Sequence, residues 1–210
     1  METLKTIDDI SLLGGHAALD FVNTIDSRGE RWGPDFLTSF GDLVGWALRA
    51  GLVDRSEHNV LLDKAANNPG VADAELEKAK ILRESLHRIF RAEAQETPCD
   101  QHDLDHLSSA CRLAAGQRSL RKGKDGVIWS NAPAMSMTAI AERIAPLAAD
   151  LLISRQQRRA VRICQGRNCG WLFLDQSRGG HRRGGLGKTC GSACPGGEIP
   201  GGGGALQDPA

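Results

Sequence analysis

No run of 18 apolar residues occurs anywhere in the 210-residue chain, which argues against a membrane-crossing helix. The opening Met1-Glu2-Thr3-Leu4-Lys5 lacks the basic-then-apolar order of a secretory leader, so the sequence reads as cytoplasmic. No internal repeat is visible, and a solenoid is excluded. Also missing are a Ser-His-Asp or Cys-His nucleophilic arrangement, a phosphate-cradling glycine loop and a dinucleotide fingerprint. Catalysis has no positive support, and the expectation is a protein that is not an enzyme. Net charge is absent as well, because 26 Lys/Arg balance 26 Asp/Glu.

What is present is the composition of a globular protein: 40% apolar and 25% charged residues, at a length that suits one core plus a small appendage. The zero net charge conceals an uneven distribution. Residues 1–153 hold 17 Lys/Arg against 23 Asp/Glu, whereas residues 154–193 hold nine basic residues against Asp175 alone. An acidic body carrying a basic segment points to a polyanionic partner of that segment.

Along the body, Gly14-Gly15 reads as a turn, followed by a short extended run through Leu19, Phe21 and Val22. Residues 28–35 carry loop chemistry. Phe36, Phe40, Leu43, Val44, Ala47 and Leu48 follow helical spacing, with Gly51 at the C-terminal cap. A helix is expected from Ser56 to about Asn67, closed by Asn68-Pro69-Gly70. Ala72 to Glu96 reads as a long amphipathic helix whose stripe is Leu76, Ala79, Leu82, Leu86, Ile89 and Phe90, flanked by charges that include Arg83 and Glu84. Asp100 caps the next helix, which presents Leu104, Leu107, Cys111 and Ala114 and ends near Gly116. Residues 118–130 suggest a hairpin, and a last helix runs from about Met135 through Leu152, with Pro146 placed to kink it. The fold class is mainly α (α+β): a helical domain with a small β element, followed by a small C-terminal unit.

That unit holds four of the six cysteines as two close pairs, Cys164-x4-Cys169 and Cys190-x3-Cys194, separated by 20 residues. In a reducing compartment such pairs read as thiolate ligands of one zinc ion rather than as disulfides. A segment this short cannot bury enough surface to fold alone, so the metal would supply much of its folding free energy. Arg162, Arg167, Arg178, Arg182 and Arg183 are the candidate phosphate contacts, since guanidinium forks match phosphate oxygens. Trp171 and Phe173 are expected to form a miniature core, with base stacking as the alternative. Cys99 and Cys111 read as ordinary thiols.

Cys-x4-Cys-Gly-Trp-Leu-Phe-Leu-Asp-Gln-Ser from Cys164, with Arg182-Arg183 and Cys190-Gly191-Ser192, resembles the CGNR zinc finger of bacterial transcriptional regulators. Gly14-Gly15-His16-Ala17-Ala18-Leu19-Asp20-Phe21-Val22-Asn23-Thr24 is similar to the opening of the ABATE domain that precedes that finger. Leu43-Val44-Gly45-Trp46-Ala47, Leu82-Arg83-Glu84-Ser85-Leu86 and Leu151-Leu152 follow its later pattern. The likeness spans roughly residues 12–192. It departs at Gly185, which stands where the pattern has its third cysteine, and at Ala193, which stands where it has the arginine. After Ser192 a glycine-rich tail replaces a basic helix, a change that a disturbed reading frame would produce. With that third cysteine missing, Cys194 is the first candidate for the fourth ligand and His181 the second.

The resemblance implies a regulator with an ABATE-like ligand-sensing domain over 1–153, a finger over 154–194 and a tail over 195–210 expected to be disordered. It implies DNA as partner, Zn2+ as cofactor and a small-molecule or stress signal read by the first domain, with His16, Asp20, Asn23 and Arg28 as ligand-binding candidates. A homodimer is allowed. For Asp20 and Asn23 the competing role is to cap helices or satisfy backbone groups. An RNA-binding or protein-interaction module is the alternative for the finger, and a small-molecule enzyme in the first domain the remoter one.

Overall fold

A computed structural model describes residues 6–30, 33–131, 135–166 and 168–175. Among these the architecture is mainly α, with six helices and two antiparallel strand pairs. A 3-10 turn at Ile7–Asp9 leads to α1 (Ala17–Val22), α2 (Phe40–Arg49), α3 (Arg55–Asn67), α4 (Pro69–Gln95) and α5 (Gln101–Gly116). The hairpin of β1 (Arg118–Gly123) and β2 (Gly126–Asn131) follows, then α6 (Ala139–Ile153), a 3-10 turn at Ser154–Gln156, β3 (Val161–Ile163) and β4 (Leu172–Leu174). No helix among the described residues is long and apolar enough to cross a membrane.

Local chemistry sets the boundaries. Ser39 and Asp42 form a reciprocal capping box at the start of α2, and Asp54 with Glu57 does the same for α3. Asp100 accepts the His102 amide at 2.9 Å and caps α5, as its side-chain type predicts. Gly51 takes φ +70° just past α2, a left-handed stop that glycine adopts without strain.

Four sequence expectations are corrected. The segment holding Leu19, Phe21 and Val22 is helical, not extended. His16 Nδ1 accepts the Ala18 amide at 3.2 Å and starts α1. Because Ala18, Leu19, Asp20, Phe21 and Val22 are all buried, no apolar stripe marks the helix. The helix expected from Phe36 begins at Phe40, because the Asp35 carboxylate accepts the Leu37 amide and the Ser39 cap fixes the entry. α3 closes at Asn67 with Asn68 as its cap, as expected, but the next helix starts at Pro69 rather than Ala72, because proline fits the first turn of α4, where a missing N–H costs nothing. The last helix begins at Ala139 rather than near Met135 and runs to Ile153, before the 3-10 turn and β3.

α4 is the organising element and packs against α1, α2, α3, α5, α6 and β3. Its Leu76, Ala79, Leu82, Leu86, Ile89 and Phe90 are buried, as the stripe predicts. Phe21 of α1 and Trp46 of α2 meet with ring centroids 5.1 Å apart. The same buried cluster continues without a break into Val161, Cys164, Cys169, Trp171, Leu172 and Phe173.

Candidate metal centre

The antiparallel pair β3–β4 carries the first two cysteines at the end and beginning of its connection. The register pairs Val161 with Leu174, Arg162 with Phe173 and Ile163 with Leu172. Beyond the last pair, the Cys164 amide donates to the Trp171 carbonyl at 2.7 Å, and the chain turns so that the Cys169 amide donates to the Gly166 carbonyl at 3.0 Å. Asn168 and Gly170 take φ +58° and +66°, two left-handed residues that fold the loop back on itself. Cys164 and Cys169 are both buried. The Gly166 amide donates to Cys164 Sγ at 3.4 Å, an arrangement that favours negative charge on sulfur and suits a metal-bound thiolate. The described residues thus fit two members of a thiolate set for zinc. Cys190, Cys194 and His181 lie outside the described residues, and among the described residues no group of three metal-ligating side chains comes together.

The loop is seated on the helical body by a row of specific bonds. Antiparallel alternation makes Ile163–Leu172 a pair without mutual hydrogen bonds, so the Leu172 amide and carbonyl point away from β3. Asn23, at the end of α1, takes both: its Nδ2 donates to the Leu172 carbonyl at 2.8 Å and its Oδ1 accepts the Leu172 amide at 3.0 Å. One side chain thereby stands in for a third strand. Next to it Trp171 Nε1 donates to the Ile25 carbonyl at 2.7 Å, the Arg28 amide to the Cys169 carbonyl at 2.7 Å, and the Gly29 amide to the Asn168 carbonyl at 3.3 Å. At the far end the Leu174 amide donates to the Gly14 carbonyl at 3.0 Å.

Backbones approach so closely here that glycine is required. A Cβ on Gly170 would sit 2.7 Å from the Arg28 carbonyl carbon, and one on Gly29 would sit 2.6 Å from Asn168 Cα.

Behind the seat lies an ionic cluster. Arg28 has a fully buried side chain; its two terminal nitrogens grip Glu84 at 2.8 and 2.9 Å, and its Nε donates to the Val22 carbonyl. Arg83 reaches Asp35 with two bonds at 2.7 and 2.8 Å and also touches Glu84 and the Thr24 hydroxyl. Burial pushes the Glu84 carboxyl up, but the two guanidinium groups outweigh it and hold it at about 2. His87, one turn along α4, is pushed down to about 3 by burial first and by Arg28 second.

The four ligand candidates fall into two groups. His16 and Asp20 share the first turn of α1. Burial, aided by Arg158, lowers the His16 imidazole, while burial raises Asp20 to about 6 despite its bond from the Gly14 amide at 2.7 Å. Asn23 and Arg28 direct their polar atoms at Leu172 and Glu84, inside the protein. Of the phosphate candidates, Arg162 is exposed on β3, its Nε 3.7 Å from Asp175 Oδ2; Arg167, Arg178, Arg182 and Arg183 lie outside the described residues. Arg158, counted with the basic segment, is pinned by two bonds to Glu93 at 2.7 and 2.8 Å.

Sequence reading missed Arg83, Glu84, Asp35 and Glu93 as parts of this assembly. A signal existed for Arg83, which stands four residues after Ala79 and three before Leu86 and so on the buried stripe of α4 rather than its flank.

The family model ABATE, described as a putative stress-induced transcription regulator, matches residues 15–155. The CGNR zinc finger model matches residues 160–193, ending where the glycine-rich tail begins. No curated protein matches the chain.

Proposed function

The chain belongs to the ABATE family, with a CGNR finger behind the ABATE domain, and on that premise we propose that it is a transcription regulator whose finger binds DNA and whose helical part senses a small molecule or stress signal. The finger takes Zn2+ through Cys164, Cys169, Cys190 and Cys194, and Arg162, Arg167, Arg178, Arg182 and Arg183 meet the phosphates. The first part spans 1–153 and the second 154–194.

The observation that supports this reading best is the seat. The end of the cysteine loop hangs on Arg28 and Gly29 by backbone bonds and the start of β4 on Asn23, and Arg28 is locked to Glu84 of α4. A signal that shifts α1 or α4 moves Asn23 and Arg28, and through them Cys169 and Leu172. The four cysteines would hold zinc, which would give the finger a fixed point.

The test is a salt titration of DNA affinity for the zinc-loaded protein beside Cys164→Ser and Arg162→Gln. The five finger contacts contribute about −4.5 to the slope of log affinity against log salt. Cys164→Ser is expected to abolish the specific complex and Arg162→Gln to make the slope shallower by about one. Affinity that ignores salt, or survives Cys164→Ser unchanged, would contradict the proposal.

A further inference from the structure

The β1–β2 hairpin is a second basic surface, separate from the finger. Its 14 residues contain Arg118, Arg121, Lys122 and Lys124 against Asp125 alone, in a body (residues 1–153) whose remaining residues hold 13 Lys/Arg against 22 Asp/Glu. None of the four cations pairs with a carboxylate among the described residues, in contrast to Arg28, Arg83, Arg88, Arg143 and Arg158, each of which does.

Among the described residues no other element packs extensively against the hairpin. Every β1 residue except Gly123 is exposed, and Leu120, Val127 and Ile128 expose 61%, 70% and 55% of their surface. The register sets Lys122 opposite Val127 on one face and Arg121 opposite Ile128 on the other. Each face therefore couples a cation to an apolar side chain, with no core beneath it among the described residues.

We propose that this hairpin is a nucleic-acid-binding arm that lies in the major groove of duplex DNA. Six residues per strand span about 20 Å, and a two-stranded ribbon matches the width of a B-form major groove. Arg121, Lys122 and Lys124 reach the flanking phosphates, and Val127 or Ile128 meets thymine methyl groups on the groove floor. Two other occupants suit the geometry less well. A second copy meeting face to face would set like charges against each other, Arg118 and Lys122 on one face or Arg121 on the other. An anionic membrane would be entered by apolar residues at the tip, whereas the tip is Gly123-Lys124-Asp125-Gly126.

The hairpin site is independent of the finger, and the experiment separates the two. The zinc-loaded full-length protein is titrated onto a short mixed-sequence DNA duplex across a range of salt. The triple variant Arg121→Gln/Lys122→Gln/Lys124→Gln is run beside Arg162→Gln. The substituted side chains are exposed, and circular dichroism confirms that the helices remain.

The triple variant is expected to bind at least tenfold more weakly at moderate salt, with a slope shallower by about 2.7. Val127→Ser/Ile128→Ser is expected to weaken binding at unchanged slope. A triple variant indistinguishable from the parent, while Arg162→Gln still weakens binding, overturns the arm and leaves the finger standing. The reverse pattern supports the arm and removes Arg162 from the DNA surface. Binding by the hairpin to vesicles with acidic headgroups but not to the duplex would also overturn it.

Discussion

Replacing Asn23 by alanine removes a side chain that satisfies both polar groups of Leu172, and the structure gives the size of the effect. Asn23 is 1% exposed and Leu172 fully buried, so water cannot replace either bond. Two orphaned backbone groups at about 1–3 kcal/mol each, reduced by some relaxation of β4, give an expected loss of about 2–4 kcal/mol. In urea, with a slope of about 2 kcal/mol per molar, the midpoint should fall by about 1–2 M. Asn23→Asp keeps an acceptor for the Leu172 amide but turns a second carboxylate oxygen toward the Leu172 carbonyl, so it should be no better than alanine. Unfolding followed by helical circular dichroism reads the loss, and competition with a chelator reads zinc affinity, which should fall in parallel because β4 no longer holds its place. A midpoint within about 0.2 M of the parent would refute the reasoning.

Other outcomes follow from the same geometry. Gly51→Ala meets nothing within 4 Å and should cost about 1 kcal/mol for its left-handed backbone, whereas Gly170→Ala adds a clash with Arg28 and should cost at least about 3 kcal/mol; equal midpoints in urea would contradict the interlock. Arg28→Ala leaves the partly exposed Glu84 with only its Arg83 bond and should cost about 2–3 kcal/mol, and adding Glu84→Gln should recover part of that loss, so a purely additive double variant would speak against the pair. Asp20 is held at about 6 in the fold against an ordinary value near 3.8, so the native state binds the extra proton and stability from this residue falls as pH rises from about 4 to 6. Asp20→Asn should remove that decline and stabilise the protein at pH 7, as a comparison of melting temperatures at pH 5 and 7 will show. His87 runs the other way: its native value of about 3 means that acid between about 6.5 and 3 destabilises the fold, and His87→Gln should blunt that loss.

The helices were legible where a polar cap or a one-sided stripe marked them. Asp100, Gly51 and the Leu76-to-Phe90 stripe sit where the sequence places them, because each acts through its immediate neighbours. α1 was not legible: it is buried on all sides, and its cap is a histidine, outside the usual cap set. The cysteine pair marked the loop, yet its seat was hidden, since Asn23 and Leu172 lie 149 positions apart and nothing local ties them. Arg28 looks like a surface charge when only neighbours in sequence are considered, and the stripe position of Arg83 signals burial without naming a partner. Their partners Glu84 and Asp35 become visible only once α4 lies beside the 24–35 segment.

The central claim is that the cysteine loop and the helical body form one cooperative structure built around zinc. The most direct measurement is a thermal melt of the full-length protein, followed by helical circular dichroism, with and without a zinc chelator. Because Cys164 and Cys169 share one buried core with α1 and α4, the account predicts that removing the metal lowers the melting temperature of the helices by several degrees, at about 2–4 °C for each kcal/mol lost. A helical melt that does not move on chelation would contradict it.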